Sequence, residues 1–171
     1  MKYFLRKIFI VLSVVIVVFV SFVAICIYRV SPLLGSDSIF MPNKKQISNF
    51  LYNNSDELLY ICEYIGDLEY DYVSWDSTDR NELKCWSEHN KDNFPVENDV
   101  TLFDNINHLE AAGVENIIKS NNYIEFSTWS SLDSSCSLVY SYNDEPDIQD
   151  LGEVILDKID NGWYYYKHIG V

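Results

Sequence analysis

Residues 8 to 28, from Ile8 to Tyr28, form an apolar run with no acid, base, Pro or Gly inside it. A helix needs about 20 such residues to cross the hydrocarbon core of a bilayer, and this run reaches that length. Lys2, Arg6 and Lys7 stand in front of it and Arg29 closes it. Beyond Arg29 the chain is polar and strongly acidic, so the run divides it into two parts with different solvents.

A cleavable signal peptide has a shorter apolar core, about 7–15 residues, and a small-residue exit, which is lacking near Arg29. Val23-Ala24-Ile25-Cys26 has nearly the shape of a lipidation site, but Ile25 is bulky where a small residue is required. The reading is therefore an uncleaved anchor. Basic residues collect on the cytoplasmic side of a membrane helix. The expected organisation is a cytoplasmic tail at 1–7, a transmembrane helix at 8–30, a linker at 31–42 containing Pro32, Gly35 and Pro42, and an extracytoplasmic domain at 43–171. The expected location is a bacterial inner membrane, with the domain in the periplasm or outside the cell.

All 26 acids lie beyond residue 30, with only 8 of the 12 bases, so the downstream part carries a net charge of −18. Such a surface disfavours nucleic acid and anionic lipid, which need Lys and Arg against their phosphates, and suits a basic protein partner. High charge also marks disordered chains. Here 11 of the 13 tyrosines and all 4 tryptophans lie in the downstream part, enough apolar area to offset chain entropy. This is a folded domain.

Cys62, Cys85 and Cys136 belong to the downstream part, and Cys26 to the apolar run. In an oxidising compartment the candidate bridge is Cys62–Cys85, and three unpaired buried thiols are the alternative.

Along the domain, Asn43 can cap a helix carrying Ile47, Phe50 and Leu51 on one face. Asn53-Asn54 interrupts it, and Ser55-Asp56-Glu57 restarts a helix with Leu58, Leu59, Cys62 and Ile65 as its stripe and Gly66 as its end. Residues 67–98 are the least legible part: Leu68 to Trp75 alternates aromatics as a strand might, and 76–98 is polar with isolated Trp86 and Phe94. A third helix bears Leu102, Phe103, Ile106 and Leu109 between Asp99 and Gly113. Strand-like runs occupy Tyr123–Trp129, Cys136–Tyr142 and Val154–Leu156, and Asn161-Gly162 before Trp163 signals a hairpin. A two-residue turn with φ > 0 at both positions would put Val154, Leu156, Trp163 and Tyr165 on one face, and Ile155, Ile159, Tyr164 and Tyr166 on the other. The expected fold class is α+β: two or three short helices on an antiparallel sheet of about four strands, ending in the Asn-Gly hairpin.

The stretch from Leu109-Glu110-Ala111-Ala112-Gly113 through Ile124-Glu125-Phe126 to Asn161-Gly162-Trp163-Tyr164-Tyr165-Tyr166 resembles small bacterial envelope proteins and lipoproteins that end in an Asn-Trp-Tyr-rich strand. The resemblance spans roughly residues 100–170. It implies an envelope location and no particular activity.

The sequence designates no catalytic, cofactor-binding or metal-ligating residue. There is no Gly-x-Ser-x-Gly turn, and a nucleophile at Ser135 or Cys136 would need His89, His108 or His168 brought to it. Cys85-x-x-x-His89 lacks the second pair that zinc requires. Asp67, Glu69 and Asp71 alternate as in a calcium loop, but Tyr72 and Thr78 stand where such a loop needs Gly and Glu. Asp144, Glu145, Asp147 and Asp150 around Pro146 read as a solvated turn. What remains is an aromatic surface at Trp163, Tyr164, Tyr165 and Tyr166, where alternation must turn some rings away from the core and Tyr and Trp favour interfaces. The expectation is a non-enzymatic binding module, an immunity or inhibitor protein being one form. An envelope hydrolase using paired carboxylates or a Ser/Cys–His nucleophile is the alternative.

Overall fold

The computed structural model describes residues 41–120, 122–131, 134–142, 145–148 and 153–170. The apolar run with Cys26, the chain up to residue 40, and Asp144 and Asp150 of the acidic cluster lie outside the described residues. Among the described residues no helix is long and apolar enough to cross a membrane.

Helix α1 (Lys44–Asn53) begins in a capping box. The Asn43 side chain accepts from the Gln46 N–H at 3.1 Å while Gln46 Oε1 accepts from the Asn43 N–H at 2.9 Å, so two amides without helical partners are satisfied reciprocally. Ile47 and Leu51, one turn apart, are its buried residues. Asn54 ends it by donating its side-chain amide to the Phe50 carbonyl at 2.7 Å. Helix α2 (Ser55–Gly66) begins at once, with Asp56 and Glu57 at the positive end of its dipole. Its stripe is Leu58, Ile61, Cys62 and Ile65, the helical i, i+3, i+4, i+7 set, and Leu59 points outward.

Eight strands form one antiparallel sheet, twice the number expected. They are β1 (Tyr72–Asp76), β2 (Asp79–Trp86), β3 (Lys91–Pro95), β4 (Asn116–Lys119), β5 (Tyr123–Ser130), β6 (Ser134–Ser141), β7 (Glu153–Asp160) and β8 (Trp163–Ile169). Their spatial order is β3-β2-β1-β4-β5-β6-β8-β7. The weakly patterned segment 67–98 supplies three of them. Its periodicity is faint because β3 is exposed throughout and only Leu83 and Cys85 of β2 are buried. A 3-10 turn (Val96–Asn98) leads into helix α3 (Val100–Ala111), where the Asp99 side chain accepts from the Leu102 N–H at 3.0 Å. Gly113, at φ 107°, ends that helix in the left-handed conformation.

The C-terminal hairpin forms, but its register departs from expectation. Among the described residues only Gly113 and Gly162 have positive φ, so Asn161 does not share the left-handed conformation. Asp160 faces Trp163, yet Lys158 faces Tyr164, which leaves Ile159 as an extra residue. A one-residue bulge exchanges the faces of everything beyond it. Ile155 and Ile159 therefore pack with Trp163 and Tyr165, while Leu156 packs with Tyr164 and Tyr166.

The main core lies between the three helices and the sheet, built from the α2 and α3 stripes against Trp75, Leu83, Ile117, Phe126, Leu138 and Trp163. The Trp75 indole N–H is satisfied by the Arg80 carbonyl at 3.1 Å. A smaller cluster, Val139, Tyr164 and Tyr166 with Tyr123, Ile148 and Leu156, closes part of the opposite face. The domain is α+β, with three helices on a large antiparallel sheet.

Candidate functional site

Trp163, Tyr164, Tyr165 and Tyr166 are all buried, which removes them as a binding surface. Alternation does send them to opposite faces, and both faces are covered. Trp163 and Tyr165 enter the helix-side core; Tyr164 and Tyr166 lie under Ile148 and Leu156. The sequence shows the alternation but not that Ile148 and Leu156 cover the second face.

Cys62, Cys85 and Cys136 are free and buried, and no bridge joins Cys62 to Cys85. Three strands separate β2, which carries Cys85, from β6, whose end lies against Cys62. Burial pushes the Cys85 and Cys136 thiols up to about 11, and burial, helped by Glu63, pushes Cys62 well above its ordinary value. At neutral pH these are protonated thiols and poor nucleophiles. Cys85 is buried while His89 is exposed, so that pair does not converge. His108 is exposed on α3, 3.7 Å from Glu57. Ser135 and His168 are cross-strand partners on β6 and β8, an adjacency the sequence spacing hides. Among the described residues no three His, Cys, Asp or Glu side chains converge as metal ligands would.

One arrangement without any sign in the sequence is a recess of about 390 Å³ between α2 and the end of β6. Leu59, Cys62, Glu63, Gly66 and Asp67 line it from the helix, Tyr140 and Tyr142 from the strand. The two rings meet edge to face, 5.6 Å between centroids. Tyr140 is fixed from behind by Trp163, 4.9 Å away, and by the hairpin turn at Gly162, where a Cβ would come within 2.9 Å of its ring. Gly66 lies within α2 and has no left-handed φ; its need is space, since a Cβ there would sit 2.9 Å from the Tyr142 hydroxyl. Tyr142 and Leu59 are each 42% exposed, so the recess opens to solvent with apolar surface at its mouth. Burial of the phenol, then Cys62, Tyr140 and the Asp67 carboxylate, raise the Tyr142 pKa far above its ordinary value. The hydroxyl stays neutral throughout the physiological range.

Glu63 and Asp67 stand one turn apart at the rim, both exposed. Neither makes an ion pair among the described residues. Several bases are committed elsewhere: Lys44 to Asp157, Arg80 to Glu110 and Lys84 to Asp79, at 3.4, 2.6 and 2.8 Å. Lys119 is buried under the end of α2. Comparison with protein-family models, with curated proteins and with solved structures gives no match.

Proposed function

We propose that the chain is a single-pass membrane protein of a bacterial envelope whose acidic extracytoplasmic domain binds a basic protein, an inhibitor or immunity role being one form. The anchor in this reading rests on the apolar run from Ile8 to Tyr28. The observation that carries the binding role is the imbalance of surface charge. After residue 30 there are 26 acids against 8 bases, and of those bases Lys119 is buried while Lys44, Arg80 and Lys84 are already in ion pairs. Among the described residues most carboxylates therefore face solvent without a partner base, and their field accelerates encounter with a cationic partner and repels anionic ones.

Co-purification of the full-length chain from detergent-solubilised membranes tests this. One basic protein at stoichiometric yield, released steeply by salt, is the expected result. Absence of a partner, together with peptidoglycan-cleaving activity lost on replacing carboxylates, would overturn it in favour of a hydrolase. Alkaline phosphatase fused after Val171 tests orientation independently, and an inactive fusion would reverse the assigned topology.

A further inference from the structure

We propose that the recess between α2 and the end of β6 receives an arginine side chain of the basic partner, which deepens the basic-partner reading and rests on it. The shape suits a long side chain that is apolar along its stem and cationic at its head. Leu59 and the rings of Tyr140 and Tyr142 offer apolar surface, and Glu63 and Asp67 stand beside them at the mouth. A volume of about 390 Å³ holds one such side chain with water to spare. Carboxylates four residues apart on a helix repel each other, and a guanidinium between them relieves that cost. The planar guanidinium stacks on aromatic faces and is more weakly hydrated than an ammonium, so arginine is favoured over lysine. Lys119 opposes a second cation near the end of α2, and Asp71 and Asp67, which act on the same ammonium, work against that opposition. The backbone carbonyls at that helix end are taken up by Lys119, which leaves the carboxylates and rings to do the recognition.

The experiment titrates the full-length chain, in zwitterionic detergent at low salt, with hexa-arginine and hexa-lysine peptides, following affinity and amide chemical shifts. Hexa-arginine should bind several-fold tighter than hexa-lysine, with shifts centred on Leu59, Gly66 and Tyr142. Tyr142→Ala should weaken hexa-arginine about ten-fold, as loss of a partly desolvated cation–π contact does, and erase the preference over lysine. Glu63 and Asp67 are exposed, so the double variant Glu63→Gln/Asp67→Asn keeps the fold, which thermal melting verifies, and should weaken both peptides several-fold. Equal affinity for the two peptides, or an unchanged double variant, would overturn the recess as the site and leave the charge-based reading standing. No binding of either peptide would overturn both.

Discussion

Lys119 Nζ lies 2.6 Å from the Leu68 carbonyl oxygen, although the two residues belong to different layers of the fold. The same ammonium donates to the Ile65 and Gly66 carbonyls at 3.1 and 3.2 Å. Lys119 occupies a core-facing position of β4, next but one to Ile117, and is only 8% exposed. A buried ammonium is costly unless its donors are satisfied. Here all three find carbonyls, Ile65 and Gly66 at the negative end of the α2 dipole, where a cation is favoured, and Leu68 just beyond it. The lysine thereby pins the end of α2, and with it Gly66 and Asp67, to the centre of the sheet.

Replacing Lys119 by Met keeps the stem and removes the donors. The three carbonyls would be left facing apolar surface, and losing hydrogen bonds to a charged group costs about 1.5–3 kcal/mol. Lys119→Met is expected to lower stability by about that amount in urea unfolding, and to speed amide exchange at the end of α2. Unchanged or slower exchange there would contradict the pinning role.

Thiol labelling separates a Cys62–Cys85 bridge from three free thiols. In a Cys26→Ser background, the native chain should react negligibly with an aromatic disulfide reagent at neutral pH, because Cys62, Cys85 and Cys136 are buried and protonated. In denaturant without reductant all three should react. One equivalent instead would mean that two of them are bridged.

The β1–β2 turn makes a pH-dependent contribution of known sign. One carboxylate oxygen of Asp76 accepts from the Thr78 hydroxyl at 2.6 Å and from the Thr78 N–H at 2.7 Å. These bonds hold the Asp76 carboxyl below its ordinary value. A depressed folded pKa contributes stability that is present above the unfolded value and lost as pH falls through the folded one. Thr78→Ala removes the larger of the two bonds' effects on that carboxyl. Its destabilisation should be full at pH 6 and should shrink below about pH 4, the ordinary aspartate range. A destabilisation that does not change with pH would show that the hydroxyl acts through something other than the Asp76 charge.

Helices α1, α2 and α3 are legible in the sequence because their starts carry chemistry that acts within four residues: Asn43 with Gln46, the acids at Asp56 and Glu57, and Asp99 with the Leu102 amide. The strands of the first half are legible only in part: the alternation from Leu68 to Trp75 runs into β1, but β2 and β3 lie at one edge of the sheet, where few side chains are buried. β3 shows no alternation at all, and β4 is four residues long. The recess is invisible for a different reason. Tyr142 and Gly66 are 76 positions apart in the chain, and nothing local to either marks the space one leaves for the other. The inverted face of β7 has yet another cause, a single extra residue at Ile159 that no hydrophobic pattern announces.

That bulge is testable by a charge scan along β7. With Ile159 extra, Ile155 lies on the helix-side face with Trp163 and Tyr165, while Val154 is turned to solvent at the edge strand. In an unbulged hairpin the two would exchange places, since side chains alternate strictly. Ile155→Asp places a charge against the main core and should cost about 2–3 kcal/mol, within the range for a buried polar group without partners. Val154→Asp should change stability by less than about 0.5 kcal/mol, the usual span for a surface substitution. The reverse ranking in urea unfolding would restore the two-residue register. Gly162→Ala provides the companion measurement at the turn itself. Its φ of 76° strains any L side chain, and the added methyl meets the Tyr140 ring at 2.9 Å, so a loss of about 1–3 kcal/mol is expected. Because Tyr140 also walls the recess, the same substitution should loosen arginine-peptide binding if the turn does hold that ring in place.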